Sequence, residues 1–387
     1  MKNRTWRHRR PHIAVVGAGV IGCNLAYDLA KRDAQVTVVD AGEVMSGTSS
    51  ATFAWINANK KKPVDYERLN FLGLKAHERA RDERGLGDAD WFHQVGNLEL
   101  ATSSDQEALL ESKVQALVSR GYEARMLSAA QVSQLEPEMQ ADSVRGAAHY
   151  PREGWIDAPT MCARLLQAAQ ALGAVFKPFH AVTDLSFDGK ATLRTPSGSL
   201  EKIVPDRIIL AAGNGTRSIL AGSGVDFPTR PALNWEAAGG VRPTVGLVAT
   251  TTPTRLGLGR MIHAAGIALR PGRNGGVTLT DSPTGAQWSH DDDRIWSVPN
   301  VLLDRARQWY PALEQATIES VTLGTRVLPE DGVTIADWVS SEQRVYAVAT
   351  HSGVTLAPHL AQVVCDEILT GSRDISLTPF GLDRFAS

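Results

Sequence analysis

Cysteine is scarce: Cys23, Cys162 and Cys365 stand far apart in 387 residues. That spacing excludes a disulfide framework and zinc-ligand pairs, and makes a reducing cytoplasm the expected setting. Charge of one sign is missing as well. A net charge of -2 removes any electrostatic reason to expect a nucleic-acid partner. Long apolar runs are absent too, so no stretch approaches the roughly 20 residues of a membrane span. What is present, 43% hydrophobic residues over this length, excludes disorder and suggests two domains. The basic start, Met1 to Arg10, imitates a twin-arginine export signal, but the apolar segment behind it reads as a first strand. A flexible tail over residues 1-11 is therefore expected.

The chemistry begins at Gly17-Ala-Gly19-Val-Ile-Gly22, which follows the apolar run Ile13 to Val16. The three glycines meet separate steric needs. Gly17 permits the turn, Gly19 lets backbone approach a pyrophosphate, and Gly22 lets helix and strand pack closely. Ile21, Leu25 and Leu29 recur at helical spacing, and Val36, Val38 and Val39 suit a buried parallel strand that ends at Asp40. A helix N-terminus favours phosphate, and Asp40 can accept hydrogen bonds from a ribose. The unit therefore binds an ADP-bearing cofactor, without deciding between FAD and NAD.

Beyond Asp40, Ser46 to Ser50 form a small-residue loop able to touch phosphate or ribityl oxygens. Helices are predicted over 66-84 and 105-120, the latter capped by Ser103 or Ser104, with a strand at 95-101. Alternating α/β structure returns with a helix over 161-172, strands at 191-195 and 202-204, and a buried strand at 207-210 that ends at Ala211-Ala-Gly213. Between 228 and 323 the pattern shifts to an antiparallel sheet. There the strands 267-270 and 277-280 flank the hairpin signal Pro271 to Gly276. A last buried strand, 344-349, runs into Thr350 to Pro358 and a helix through Ile368, so the C-terminus closes the nucleotide domain. Asp291 to Asp293 reads as a solvated loop, and no metal site is expected.

Four blocks in this order resemble the D-amino-acid oxidase superfamily of FAD enzymes, which includes glycine oxidase-like and sarcosine oxidase-like members. They are the first glycine turn with Asp40 and the 46-50 loop, Glu153-Gly-Trp-Ile-Asp-Ala-Pro159, Ile208 to Gly213, and Gly324 to Gly332 with His351 to Pro358. The resemblance implies an α/β, Rossmann-like FAD-binding domain, discontinuous over 12-85, 145-225 and 324-387. A second, α+β substrate domain on an antiparallel sheet would take 86-144 and 226-323. The implied FAD cradle is Gly17, Gly19, Val20, Ile21, Gly22, Asp40, Ala41, Gly47, Thr48, Ser49, Ser50, Val182, Ala212 and Gly213. Ser352, Gly353, Val354, Thr355 and Leu356 would meet the flavin, where a helix N-terminus favours negative charge.

In glycine oxidase-like members the position of Arg326 holds a substrate carboxylate; a structural ion pair is the bland alternative. His351 would border the same pocket and orient an amine or take its proton, or would be an ordinary turn histidine. Asn57, Asn59 and Lys60 are polar candidates beside Trp55 and Ile56. The cysteine and the early-loop histidine that hold FAD covalently in some relatives are missing, so FAD should be noncovalent. The flavin-side lysine that activates oxygen in others has no counterpart at 277-280, so either oxygen or another acceptor would take the electrons. The implied reaction oxidises the C-N bond of an amino acid or secondary amine by hydride transfer to flavin N5, giving an imine that hydrolyses. Oxidation of a 2-hydroxy acid and a noncatalytic FAD-binding assembly factor are the alternatives. An aromatic-hydroxylase type would need a late Gly-Asp motif, whereas Gly87-Asp88 comes early.

Overall fold

The computed structural model describes residues 9-83, 91-234, 236-239 and 243-386. Gly87, Asp88 and Trp235 lie outside them, as does most of the basic start. Of that start, Arg9 pairs with Asp206 at 2.5 Å and Arg10 with Asp33 at 2.5 Å.

The β-branched run Gln35–Val39 and the strand His12–Val16 lie side by side and parallel, buried along almost their whole length. They belong to a six-stranded sheet ordered Ile335–Trp338, Val345–Ala349, Arg207–Leu210, His12–Val16, Gln35–Val39, Val175–Lys177. Only the Ile335–Trp338 edge is antiparallel. Three glycine- and hydroxyl-rich turns, after Val16, Leu210 and Ala349, therefore open at the same carboxyl edge, where such sheets bind ligands.

On one face the helix Val20–Lys31 packs between Ala158–Ala171 and Gly353–Thr370, and Val64–Glu83 lies against the last of these. Leu25, Leu29, Leu165 and Leu360 are fully buried there. The last helix ends at Gly371, whose φ of 77° closes it in the left-handed conformation that glycine tolerates. On the other face sit the antiparallel ribbon from Ala181 to Ile203 and the helix Gly215–Gly222.

A second sheet has eight strands, ordered Ile318–Thr325, Val245–Thr251, Val277–Thr280, Ile267–Pro271, Met261–Ala264, Asn97–Ala101, Gly146–Tyr150, Arg125–Ser128. Ile267–Pro271 and Val277–Thr280 pair antiparallel around the expected hairpin. The helix Ser104–Ser119 is capped by Ser103, whose hydroxyl accepts from the Gln106 amide at 3.3 Å. Gly146–Tyr150, expected to lie with the cofactor-binding part, pairs instead inside this second sheet. Its residues are all buried and mostly small, so it lacks the alternating pattern that would have marked a strand. Among the described residues, no helix is long and apolar enough to cross a membrane.

Candidate cofactor and substrate site

A cleft of about 1360 Å³ runs from the carboxyl edge of the first sheet to one face of the second. Its floor starts at Gly17, which has φ +108°; a Cβ there would lie 2.4 Å from the Ala211 carbonyl oxygen. A Cβ on Gly22 would lie 1.8 Å from the Gly17 oxygen, so helix and turn touch at backbone distance. Gly19 caps the helix Val20–Lys31 without a side chain, and a Cβ there would press on the Ser49 hydroxyl at 2.8 Å. This is a cradle shaped for close approach to a phosphate.

The Asp40 carboxylate accepts from the Ala18 amide at 2.6 Å and the Gly42 amide at 2.8 Å, bracing the turn while lining the cleft. Ser49 Oγ accepts from the Val20 amide at 3.1 Å. Thr48 Oγ1 donates to the Thr325 carbonyl at 2.7 Å, tying the early loop to the segment that carries Arg326. Ala41, Gly47, Ser50, Val182, Ala212 and Gly213 also line the cleft, with Val20 and Ile21. Gly22 and Leu356 do not: Gly22 serves helix packing, and Leu356 is fully buried beneath the last turn.

At the other end, Ser352 precedes the helix Gly353–Thr370 and gives it no side-chain cap. Tyr66 donates its hydroxyl to Ser352 Oγ at 2.8 Å, and Thr355 Oγ1 donates to the Trp55 carbonyl at 3.3 Å. Gly353, Val354 and Thr355 line the cleft, so the positive end of an 18-residue helix opens onto it. A glycine cradle, a ribose-side carboxylate and a second helix N-terminus thus suit a dinucleotide with an anionic middle and an electron-accepting ring.

Arg326 is half-buried at the cleft, after the strand Ile318–Thr325. Its guanidinium donates to the Val245 carbonyl and, at 3.4 Å, to Ser282 Oγ. His351 and Asn57 line the same space, and among the described residues the buried Asn57 Oδ1 has no hydrogen-bond partner. Asn59 is not brought to the cleft. It is buried, donating to Glu153 Oε1 at 2.5 Å and accepting from Lys113 at 2.9 Å.

Lys60 does line the cleft, in an ion pair with Glu99 at 3.2 Å. Sequence reasoning passed over Glu99, Lys113 and His263, which line the same wall. Behind them Glu153 accepts from Tyr122 at 2.6 Å, Trp55 at 2.9 Å and Asn97 at 3.0 Å, besides Asn59. Complete burial outweighs those four donors and pushes its carboxyl up to about 7. Glu153 stood in one of the recognised blocks, yet nothing local to it marks a buried hub.

Of the aromatics in the second part, Trp288 lies under Arg294 and Trp309 packs on the second core, while Trp296 is exposed. Asp292 caps a short helix through the Arg294 amide at 3.0 Å. Cys23, Cys162 and Cys365 are all buried.

The family model for FAD dependent oxidoreductases, DAO, matches residues 12–367. Glycine oxidase of Geobacillus kaustophilus is 25% identical over 386 residues, covering 97% of each chain. One subunit of the opine oxidase of Agrobacterium tumefaciens is 26% identical over 390 residues, covering 96% of this chain and 97% of its own. The solved glycine oxidase from Geobacillus kaustophilus superposes with a TM-score of 0.81 at 22% identity, covering 97% of this chain and 99% of that one. At that identity the superposition speaks for the fold alone. The match over nearly the whole chain is decisive: this protein belongs to the DAO family of FAD-dependent oxidoreductases.

Proposed function

We propose that this enzyme oxidises the C-N bond of an amino acid or secondary amine. The observation that carries the reading is that Arg326 and the N-terminus of Gly353–Thr370 face one cleft. A guanidinium there suits a carboxylate, and its planar fork would fix the substrate by two parallel hydrogen bonds. FAD, when bound, supplies the hydride acceptor, and the imine product hydrolyses in water.

The chain's own contribution is orientation and charge. Gly17, Gly19, Asp40, Ser49 and Gly213 would hold the nucleotide, with Ser352 to Thr355 at the ring. Arg326 would anchor the acid group, and His351 would accept a hydrogen bond or proton from the amine. Asn57, which lines the cleft, is a further polar candidate there. Residues 12-85, 145-225 and 324-387 are assigned to cofactor binding, except for strand 146–150, which joins 86-144 and 226-323 in the substrate part. FAD is read as noncovalent, reoxidised by oxygen or another acceptor. Anaerobic mixing of the FAD-loaded enzyme with a panel of amino acids and N-substituted glycines should bleach the flavin; no bleaching across the panel would refute the reading.

A further inference from the structure

The wall of the cleft formed by the second sheet carries an excess of positive charge that the proposed chemistry does not use. Asn97–Ala101 pairs in parallel with Met261–Ala264, and Glu99 stands directly opposite His263. Neighbouring residues in register project from the same face, and both line the cleft. Two ammonium groups converge on this single carboxylate: Lys113 Nζ lies 2.6 Å from Glu99 Oε2, and Lys60 Nζ lies 3.2 Å from Oε1.

Lys113 comes from the helix Ser104–Ser119, which also lends Gln106, Leu109 and Leu110 to the cleft. Lys60 comes from the segment after Trp55–Ile56. Burial alone would raise the Glu99 carboxyl, but the two lysines hold it down to about 2, so it stays ionised. Burial lowers the Lys113 ammonium while Glu99 holds it up, and below about pH 7, where Glu153 behind the wall is protonated, two cations face one anion and leave one positive charge in excess.

His263 does not add to it. Asn97 spends its Nδ2 on Glu153, so its Oδ1 is the acceptor at 2.8 Å for His263 Nδ1-H. Burial keeps that imidazole neutral, and the nearby lysines reinforce the effect. Each ammonium has three N-H groups. Lys113 gives one to Glu99 and one to Asn59, while Lys60 gives one to Glu99 and is 41% exposed.

We infer that Lys60 and Lys113 form a second anion subsite, and that the substrate is an amine or amino acid carrying a further acidic group besides the one held at Arg326. The identity of the reacting group rests on the amine-oxidation reading; the subsite itself does not.

The topology also bounds the substrate's length. Five strand spacings, about 24 Å, separate the Arg326 edge of the sheet from Asn97–Ala101. The Arg326 guanidinium lies over Gly246 of the neighbouring strand, which shortens that gap by about one spacing. The register row between the two ends, Val248, Thr280 and Ala268 ahead of His263, carries short side chains that leave room for a linker. The two acid groups should therefore be well separated, as in an N-(carboxyalkyl) amino acid with an extended alkyl chain.

The test uses FAD-loaded enzyme and N-(carboxyalkyl)glycines with one to ten methylenes, beside N-alkylglycines of matching length. Calorimetry measures binding, and anaerobic flavin bleaching measures reaction. The longer diacids should bind about tenfold more tightly than their N-alkyl counterparts, the worth of one charge-assisted contact. Lys60→Met with Lys113→Met should erase that gain while leaving N-alkylglycine binding within twofold, roughly the resolution of the comparison. Glu99→Gln, which frees both lysines, should tighten the diacids several-fold.

Equal binding of the two series would overturn the inference. So would equal weakening of both in the double variant, or unchanged diacid binding in Glu99→Gln. Diacids that bind selectively without bleaching the flavin would keep the subsite and sink amine oxidation instead. Bleaching by both series without discrimination would do the reverse.

Discussion

Gly17 and Ala211 meet at backbone distance: a Cβ on Gly17 would lie 2.4 Å from the Ala211 carbonyl oxygen. The contact joins the first strand's turn to the Ala211 turn, nearly two hundred residues later, and Gly17 reaches it at φ +108°. Gly17→Ala therefore combines a disfavoured backbone conformation with overpacking, together costing about 2 to 5 kcal/mol. Purified protein should lose FAD and melt lower, by absorbance and thermal scan. Gly222→Ala is the control: among the described residues nothing lies within 4 Å of its added Cβ, it stands outside the cleft, and it should retain flavin.

Glu153 makes stability depend on pH. Its folded carboxyl is raised from 4.5 to about 7, so the folded state holds a proton that the unfolded chain releases. The sign follows: this group's contribution is full below pH 4.5 and is lost as pH rises to about 7, a change of about 3 kcal/mol. Glu153→Gln keeps an acceptor for Tyr122 and removes the titration. Denaturant midpoints measured at pH 5 and pH 7.5 should converge in that variant relative to the parent.

Noncovalent FAD should come away intact. The cysteines are buried in helices, away from the cleft's lining. Acid precipitation should leave all flavin in the supernatant and an apoprotein of unmodified mass, and a mass increase matching FAD would overturn this reading.

Arg326 anchors the carboxylate in the proposed reaction. Arg326→Lys keeps the charge but loses the planar fork, and should raise KM for an acid substrate about 10- to 150-fold, the equivalent of about 1.5 to 3 kcal/mol. Flavin content should hold, since the residue belongs to the substrate end. A rise in KM no greater for acids than for their amides would remove Arg326 from that role.

Much of the fold was legible because the signals were local. The Gly17 turn, the valines leading to Asp40 and the hairpin at Pro271 to Gly276 each declare themselves within a few residues. The wall of Glu99, Lys113 and His263 does not, because sheet pairing assembles it from positions up to 164 residues apart. Asn59 shows the converse. It stands beside Lys60 in the chain, yet the partners waiting at Glu153 and Lys113 draw it inward, and only the fold reveals them.

The central claim is C-N oxidation, and a single anaerobic turnover tests it most directly. FAD-loaded enzyme is mixed with amino acids and N-substituted glycines, and flavin absorbance, carbonyl product and released nitrogen are followed together. The predicted result is bleaching with one carbonyl compound and one ammonia or primary amine per flavin. Bleaching by 2-hydroxy acids alone, with no nitrogen released from any amine, would contradict it.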